Sequence, residues 1–142
     1  MRKGVSLTTV VIAITVMMIL IASVSVIGSS AIKTANFEEY KSEIERVANE
    51  VNIYITQNNE LPTTNDIISS KGLENEFLNN LKAKNDLSNK LFVVDISKLS
   101  DNNIKKGKGN IIDKDIYVVA ENTNNVYYLK GFKYRGEVYF TY

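Results

Sequence analysis

Residues 37–54 read FEEYKSEIERVANEVNIY. The apolar side chains Phe37, Tyr40, Ile44, Val47, Val51 and Tyr54 are spaced alternately by three and four, which puts them in a narrow stripe along one face of an α-helix. No glycine or proline occurs between Gly28 and Pro62, so no residue there favours a break in the helix. Upstream the stripe widens until every face is apolar. Between Lys3 and Lys33 lie 29 residues without Asp, Glu, Lys or Arg. Together the two patterns predict one helix from about Val5 to about Gln57, roughly 80 Å long at ~1.5 Å per residue.

The uncharged run alone spans about 43 Å as a helix, more than the ~30 Å hydrocarbon thickness of a bilayer. Arg2 and Lys3 precede it, and the bias of basic residues to the cytoplasmic side puts the N-terminus inside and the remainder outside the cell. Three readings compete. A removable secretion signal would have a shorter apolar core and a small-residue cleavage site, for which Ser29-Ser30-Ala31 would serve, leaving Ile32 as the new terminus. A plain membrane anchor explains the length but gives Gly4 no purpose. The third reading is a helix that packs against its own domain at one end and against lipid or sister helices at the other, which explains why the run continues in register into an amphipathic stripe. Ala22, Ser25 and Ser29 offer a seam of small residues for such contacts, and Gly28 is a soft point.

The leader Lys3-Gly4-Val5-Ser6-Leu7-Thr8-Thr9 resembles the prepilin cleavage motif of type IV pilins and pseudopilins: a short basic leader ending in Gly, then an apolar residue and a hydrophobic stretch. Asn58-Asn59-Glu60-Leu61-Pro62-Thr63-Thr64 is similar to the Asn-Gly-x-Tyr-Pro-Thr segment that closes the first helix in many of these subunits. The resemblance implies that a prepilin peptidase cuts between Gly4 and Val5 and methylates the amine of Val5. The helix then serves as a membrane span before assembly and as filament core afterwards. Family members usually carry an aromatic residue at the first processed position and Glu at the fifth. Here Val5 and Thr9 stand in those places, and Thr9 cannot supply the carboxylate that pairs with a neighbour's terminal amine. That departure moves the expectation from a bulk subunit to a minor one.

Composition narrows the chemistry. Seventeen basic residues balance sixteen acidic ones for a formal charge of +1, so no global field favours nucleic acid or an anionic surface. There is no cysteine and no histidine, which removes disulfides, thiol nucleophiles, soft metal ligands and the usual general base near neutral pH. No cofactor and no enzymatic activity is expected.

Beyond the helix, a short helical stretch is predicted from Asn65, capped by Thr64 or Asn65, followed by core positions Leu73, Phe77 and Leu81. Leu91 to Ile96 reads as a strand. The stretches 115–121 (DIYVVAE), 126–130 (VYYLK) and 137–142 (EVYFTY) are rich in β-branched and aromatic residues and are separated by Asn122-Thr123-Asn124-Asn125 and Tyr134-Arg135-Gly136, a pattern of consecutive antiparallel hairpins. A three- or four-stranded sheet over the helix stripe would bury both apolar faces.

Three local features invite functional readings. Lys105-Lys106-Gly107-Lys108-Gly109 is a basic loop able to catch phosphates, but it lacks the form of a nucleotide-binding loop, and a solvated turn is the favoured reading. Lys130, Lys133 and Arg135 are interleaved with Tyr127, Tyr128, Phe132, Tyr134, Tyr139 and Phe140, a composition that stacks single-stranded DNA or simply pairs tyrosines across strands. Asp101, Asp113 and Asp115 carry the hard oxygens calcium wants, in a spacing that matches no loop motif, so no metal is expected.

The sequence thus predicts an α+β chain with a pilin-like layout: leader 1–4, apolar helix half 5–32 and an extracytoplasmic head 33–142. Within the head, the helix continues over 33–57, a connecting region covers 58–90 and a small antiparallel sheet occupies 91–142. The expected partners are other pilin subunits, prepilin peptidase and a membrane crossed once. The expected location is the cytoplasmic membrane before assembly and the cell surface or an extracellular filament after it. The competing expectation is a membrane-anchored binding protein, for DNA or a surface ligand, that does not polymerise.

Overall fold

In the computed structural model, the backbone is described for residues 7–69 and 72–142, and side chains for 30–69 and 72–142. Gly4 and Val5 lie outside the described residues, as does the side chain of Thr9. The chain divides into two units, Met1–Asn36 and Phe37–Tyr142. The described architecture is α+β. Helix α1 (Leu7–Asn58) is followed by β1 (Thr63–Ile68), α2 (Asn75–Ala83), β2 (Leu91–Val94), β3 (Tyr117–Ala120), β4 (Val126–Tyr128), β5 (Phe132–Tyr134) and β6 (Glu137–Tyr139). Among the described residues no helix is long and apolar enough to cross a membrane. The uncharged run behind the membrane expectation falls almost wholly on residues whose side chains lie outside that description.

The end of α1 follows from its sequence. Asn59 takes a left-handed conformation at φ 58 and its N–H donates to the Ile55 carbonyl at 2.8 Å, a left-handed cap that satisfies a terminal carbonyl. Pro62, three residues on, cannot continue a helix. Within the second unit the stripe is buried as its spacing requires: Tyr40, Ile44, Val47 and Val51 are all fully buried, and Phe37 is partly buried against the same cluster. Each such aliphatic side chain contributes about 1.5–3 kcal/mol on leaving water.

What covers the stripe is a four-stranded antiparallel meander in the order β1-β2-β3-β4. Strand β3 pairs with β2 (Phe92 opposite Val119) and with β4 (Val118 opposite Tyr127), and all four of its residues are buried. Alternation sorts them. Tyr117 and Val119 join Val94, Val126 and Tyr128 on the α1 side, while Val118 and Ala120 join Tyr127, Leu91 and Val93 on the other. Phe77 and Leu81 of α2 cover that second face, so the sheet is the middle of three layers. The C-terminal segment closes the outer edge of β4, where the Tyr128 N–H donates to the Phe140 carbonyl at 2.7 Å and the Thr141 hydroxyl to the Val126 carbonyl at 2.9 Å.

Two sequence expectations need correction. Residues 63–68 form a strand rather than a helix beginning at Asn65, so the sheet recruits β1 from the connecting region instead of lying wholly within 91–142. The physical reason is legible afterwards. Only Thr63 and Ile68 of β1 turn inward, and Asn65 at φ 73 breaks the alternation with a bulge, across which the register with β2 shifts. The Thr-Thr-Asn-Asp run that mimics a helix cap is therefore an irregular edge strand. The second correction concerns the C-terminus. Residues 132–139 form a separate two-stranded hairpin, β5-β6, and do not extend the main sheet.

Candidate functional site

The β5-β6 hairpin carries Phe132, Tyr134 and Tyr139, with Lys133 and Arg135, of the aromatic and basic residues singled out in the sequence. Its turn is two residues long, with Tyr134 opposite Glu137, and both turn residues have positive φ, Arg135 at 50 and Gly136 at 80. This is the hand that matches strand twist. Arginine is an unusual choice there, since a Cβ in the left-handed region costs about 1–2 kcal/mol. Alternation along β5 turns Phe132 and Tyr134 toward α1 and leaves Lys133 exposed. Gly131, at φ +75, lets the chain enter the hairpin against Val138 and Phe140; a Cβ there would lie 2.5 Å from Val138 Cγ1.

The inward rings form a connected set with those of α1. Phe37 stacks on Tyr134 with centroids 4.2 Å apart and an interplanar angle of 5°, and it meets Tyr139 at 4.8 Å. Tyr40 stacks on Phe132 at 4.9 Å, and its hydroxyl donates to the Tyr139 carbonyl at 2.7 Å. Three cations sit over these rings: Lys41 Nζ 5.5 Å from Phe37, Lys106 Nζ 5.7 Å from Phe132 and the Arg135 guanidinium 5.2 Å from Tyr134. The ring system is thus already engaged by other rings and by cations, an arrangement poorly suited to stacking bases.

The basic loop is held from beneath by two carboxylates. Glu43 is fully buried, and its Oε1 accepts from the N–H groups of Lys105 (3.1 Å) and Lys106 (2.8 Å) and from the Tyr117 hydroxyl (2.9 Å), while Oε2 has no partner. Asp115 Oδ1 accepts from the Gly107 N–H at 3.0 Å and from the Tyr128 hydroxyl at 2.5 Å. The Gly109 N–H donates to the Asp115 carbonyl. The loop's amides at 105, 106, 107 and 109 are therefore spent inside the protein and do not form a phosphate cradle. Burial pushes the Asp115 carboxyl up, but the hydrogen bonds from Tyr128 and Gly107, with the charges of Lys130 and Lys106, bring it below the usual carboxylate range. Burial also raises the Tyr117 and Tyr128 hydroxyls, each further raised by its carboxylate partner.

The basic residues proposed from sequence do not converge on one groove. Lys106 and Arg135 meet the same ring system. Lys105 is ion-paired with Glu39 at 2.8 Å, Lys108 lines an open cavity of about 310 Å³ with Ile96, Asp101 and Ile104, and Lys130 and Lys133 are exposed on the hairpin side. The three aspartates suggested for calcium are occupied otherwise. Asp101 pairs with Arg46 at 3.1 Å, Asp113 accepts the N–H groups of Asn110 and Asp115, and no group of three potential ligands for a metal ion occurs among the described residues.

Sequence reasoning missed Glu43, Lys41 and Asp86. Glu43 sits three residues after Tyr40 and four before Val47, on the buried stripe, and that spacing was the available signal. Asp86 is fully buried and joins the turn after α2 to the β3-β4 connection; nothing in its neighbourhood in sequence marks it. No protein-family model, curated protein or solved structure matches the chain.

Proposed function

We propose that this chain is a structural subunit, of the minor kind, of a type IV pilus-like or type II secretion-like filament. In this reading it is processed by a prepilin peptidase between Gly4 and Val5, methylated at Val5 and assembled through its N-terminal helix. Before assembly it crosses the cytoplasmic membrane once with its N-terminus inside, and afterwards it is displayed in a filament at the cell surface. The observation that carries this reading is the continuity of α1. Ser29, Ser30 and Ala31, the small residues a signal peptidase would need in extended form, are helical. The same helix, from Phe37 onward, supplies one wall of the head's core.

The mechanism is mechanical. A helix satisfies its backbone hydrogen bonds internally, so it can leave lipid and stack among sister helices without exposing unpaired polar groups. Thr9 in place of the usual carboxylate removes one electrostatic contact to the neighbouring subunit, which suits a position made once per filament. Mass spectrometry of the mature N-terminus tests the proposal. A chain beginning at methylated Val5 supports it. A chain beginning at Ile32 means a removed signal, and an intact Met1 or Arg2 means an anchor that does not enter filaments.

A further inference from the structure

We infer that the end of the head formed by the β5-β6 hairpin and the start of the α1 stripe is a docking surface for anionic phospholipid headgroups, holding the unassembled head against the outer face of its own membrane. The inference rests on the membrane-spanning reading above and adds a partner to it.

The first argument is one of reach. Phe37, whose ring stacks on the hairpin, is four residues from Lys33, where the uncharged run ends. Four residues extend at most about 14 Å in any conformation. A run of 29 uncharged residues covers about 43 Å as a helix, close to the ~40–45 Å of a bilayer with its headgroups. A chain that crosses the membrane through that run must therefore hold Phe37, whose ring meets the hairpin, within about 14 Å of the end of the run.

The second argument is chemical. Lys41, Lys106 and Arg135 lie over Phe37, Phe132 and Tyr134, giving half-buried rings crowned by cations. That is the composition favoured at a bilayer surface, where aromatic rings lie at headgroup level and basic side chains reach phosphates. The nearby carboxylates reduce this charge only in part. Glu39 is paired with Lys105, while Glu38 on α1 and Glu137 on the hairpin are exposed and together offset two of the three charges. Arg135 also occupies a turn position that glycine or asparagine would fill with less strain, as expected where a cation at the tip is used. Each basic residue close to an anionic surface strengthens attachment about five-fold, so the three together shift the docked-to-free ratio on the order of 100-fold.

The chain has no cysteine, which allows a single fluorescent label. The full-length chain carrying Lys133→Cys on the hairpin, or Leu87→Cys on the exposed turn after α2 as control, is reconstituted in vesicles of equal parts phosphatidylcholine and phosphatidylglycerol containing headgroup spin-labelled lipid. The expected result is several-fold stronger quenching at 133 than at 87. The difference should vanish in pure phosphatidylcholine, in about 1 M salt, where the Debye length falls to about 3 Å, and in a Lys41→Gln, Lys106→Gln, Arg135→Gln variant whose near-ultraviolet circular dichroism is unchanged. Equal quenching in both lipids, or no effect of the triple substitution, overturns the inference. A triple variant that loses its near-ultraviolet signal is replaced by Arg135→Gln alone, for which about a five-fold loss is expected and no loss overturns. Alkaline carbonate separates the two levels. A chain stripped from the vesicles refutes the membrane reading and this inference with it, whereas a chain that stays inserted without hairpin quenching refutes the inference alone. A single-stranded oligonucleotide bound in pure phosphatidylcholine vesicles through the same three cations would overturn it in favour of a nucleic-acid surface.

Discussion

Replacing Asp86 should destabilise the head strongly, because four side-chain donors converge on it. Its Oδ1 accepts from the Asn89 amide at 2.9 Å and the Thr123 hydroxyl at 2.5 Å, and its Oδ2 from the Asn125 amide at 2.8 Å and the Tyr127 hydroxyl. Asp86 and Tyr127 are both fully buried. A hydrogen bond to a charged group contributes about 1.5–3 kcal/mol, and a buried donor left without its acceptor costs about 1–3 kcal/mol. These terms are not additive within one network, so Asp86→Ala is expected to destabilise by about 3–4 kcal/mol. Tyr127→Phe removes one donor to the carboxylate and leaves the other three, for about 1.5–3 kcal/mol.

The assay is urea unfolding of the full chain in detergent, followed by near-ultraviolet circular dichroism of the packed tyrosines. The cost of the double variant should fall short of the sum of the two single costs by at least about 0.5 kcal/mol. The pH dependence has a definite sign. Burial pushes the Asp86 carboxyl up, but hydrogen bonds from Thr123, Tyr127, Asn125 and Asn89 outweigh it and hold the group below the usual range. Its contribution is thus complete above the unfolded value near pH ~4 and is lost as pH falls through the folded one. Asp86→Ala should therefore be less sensitive to acid than the parent. A cost under about 1 kcal/mol, strict additivity with Tyr127→Phe, or an unchanged acid limb would refute this account of the network.

Two further outcomes follow from the other buried polar groups of the head. Glu43→Leu strands the Lys105 and Lys106 N–H groups and the Tyr117 hydroxyl and should cost about 2–4 kcal/mol, whereas Glu43→Gln keeps an acceptor oxygen and should cost much less; equal losses in urea unfolding would show that packing, not the acceptor, matters. Burial raises the hydroxyls of Tyr40, Tyr117, Tyr127 and Tyr128 well above the ordinary tyrosine value. Because the folded value lies above the unfolded one, stability is complete below pH ~10 and declines above it. Ultraviolet difference titration should show these four of the eight tyrosines ionising only with unfolding, and smooth titration of all eight in the folded chain would contradict it.

The candidate surface was only partly legible in the sequence. The alternation of aromatic and basic residues in 126–142 marked the segment that carries the hairpin rings, and Arg135 and Lys106 both lie over that ring system. Lys105 instead pairs with Glu39 and Lys108 lines the cavity beside Asp101, through contacts between segments far apart in the chain. Lys41 was overlooked because its role depends on Phe37 meeting Tyr134, a contact across nearly a hundred residues.

By itself, the sequence determined the helix with its buried stripe, its end at Asn59 and Pro62, and the strand character of 117–120 and 126–128, because periodicity and backbone restriction act within a few residues. Tertiary structure alone decided that Thr63–Ile68 is a strand, that β5-β6 stands apart from the main sheet, and that Asp86 is buried. An edge strand with two inward residues and a carboxylate with distant donors have little local preference of their own. Their conformations are set by what the rest of the chain brings up against them.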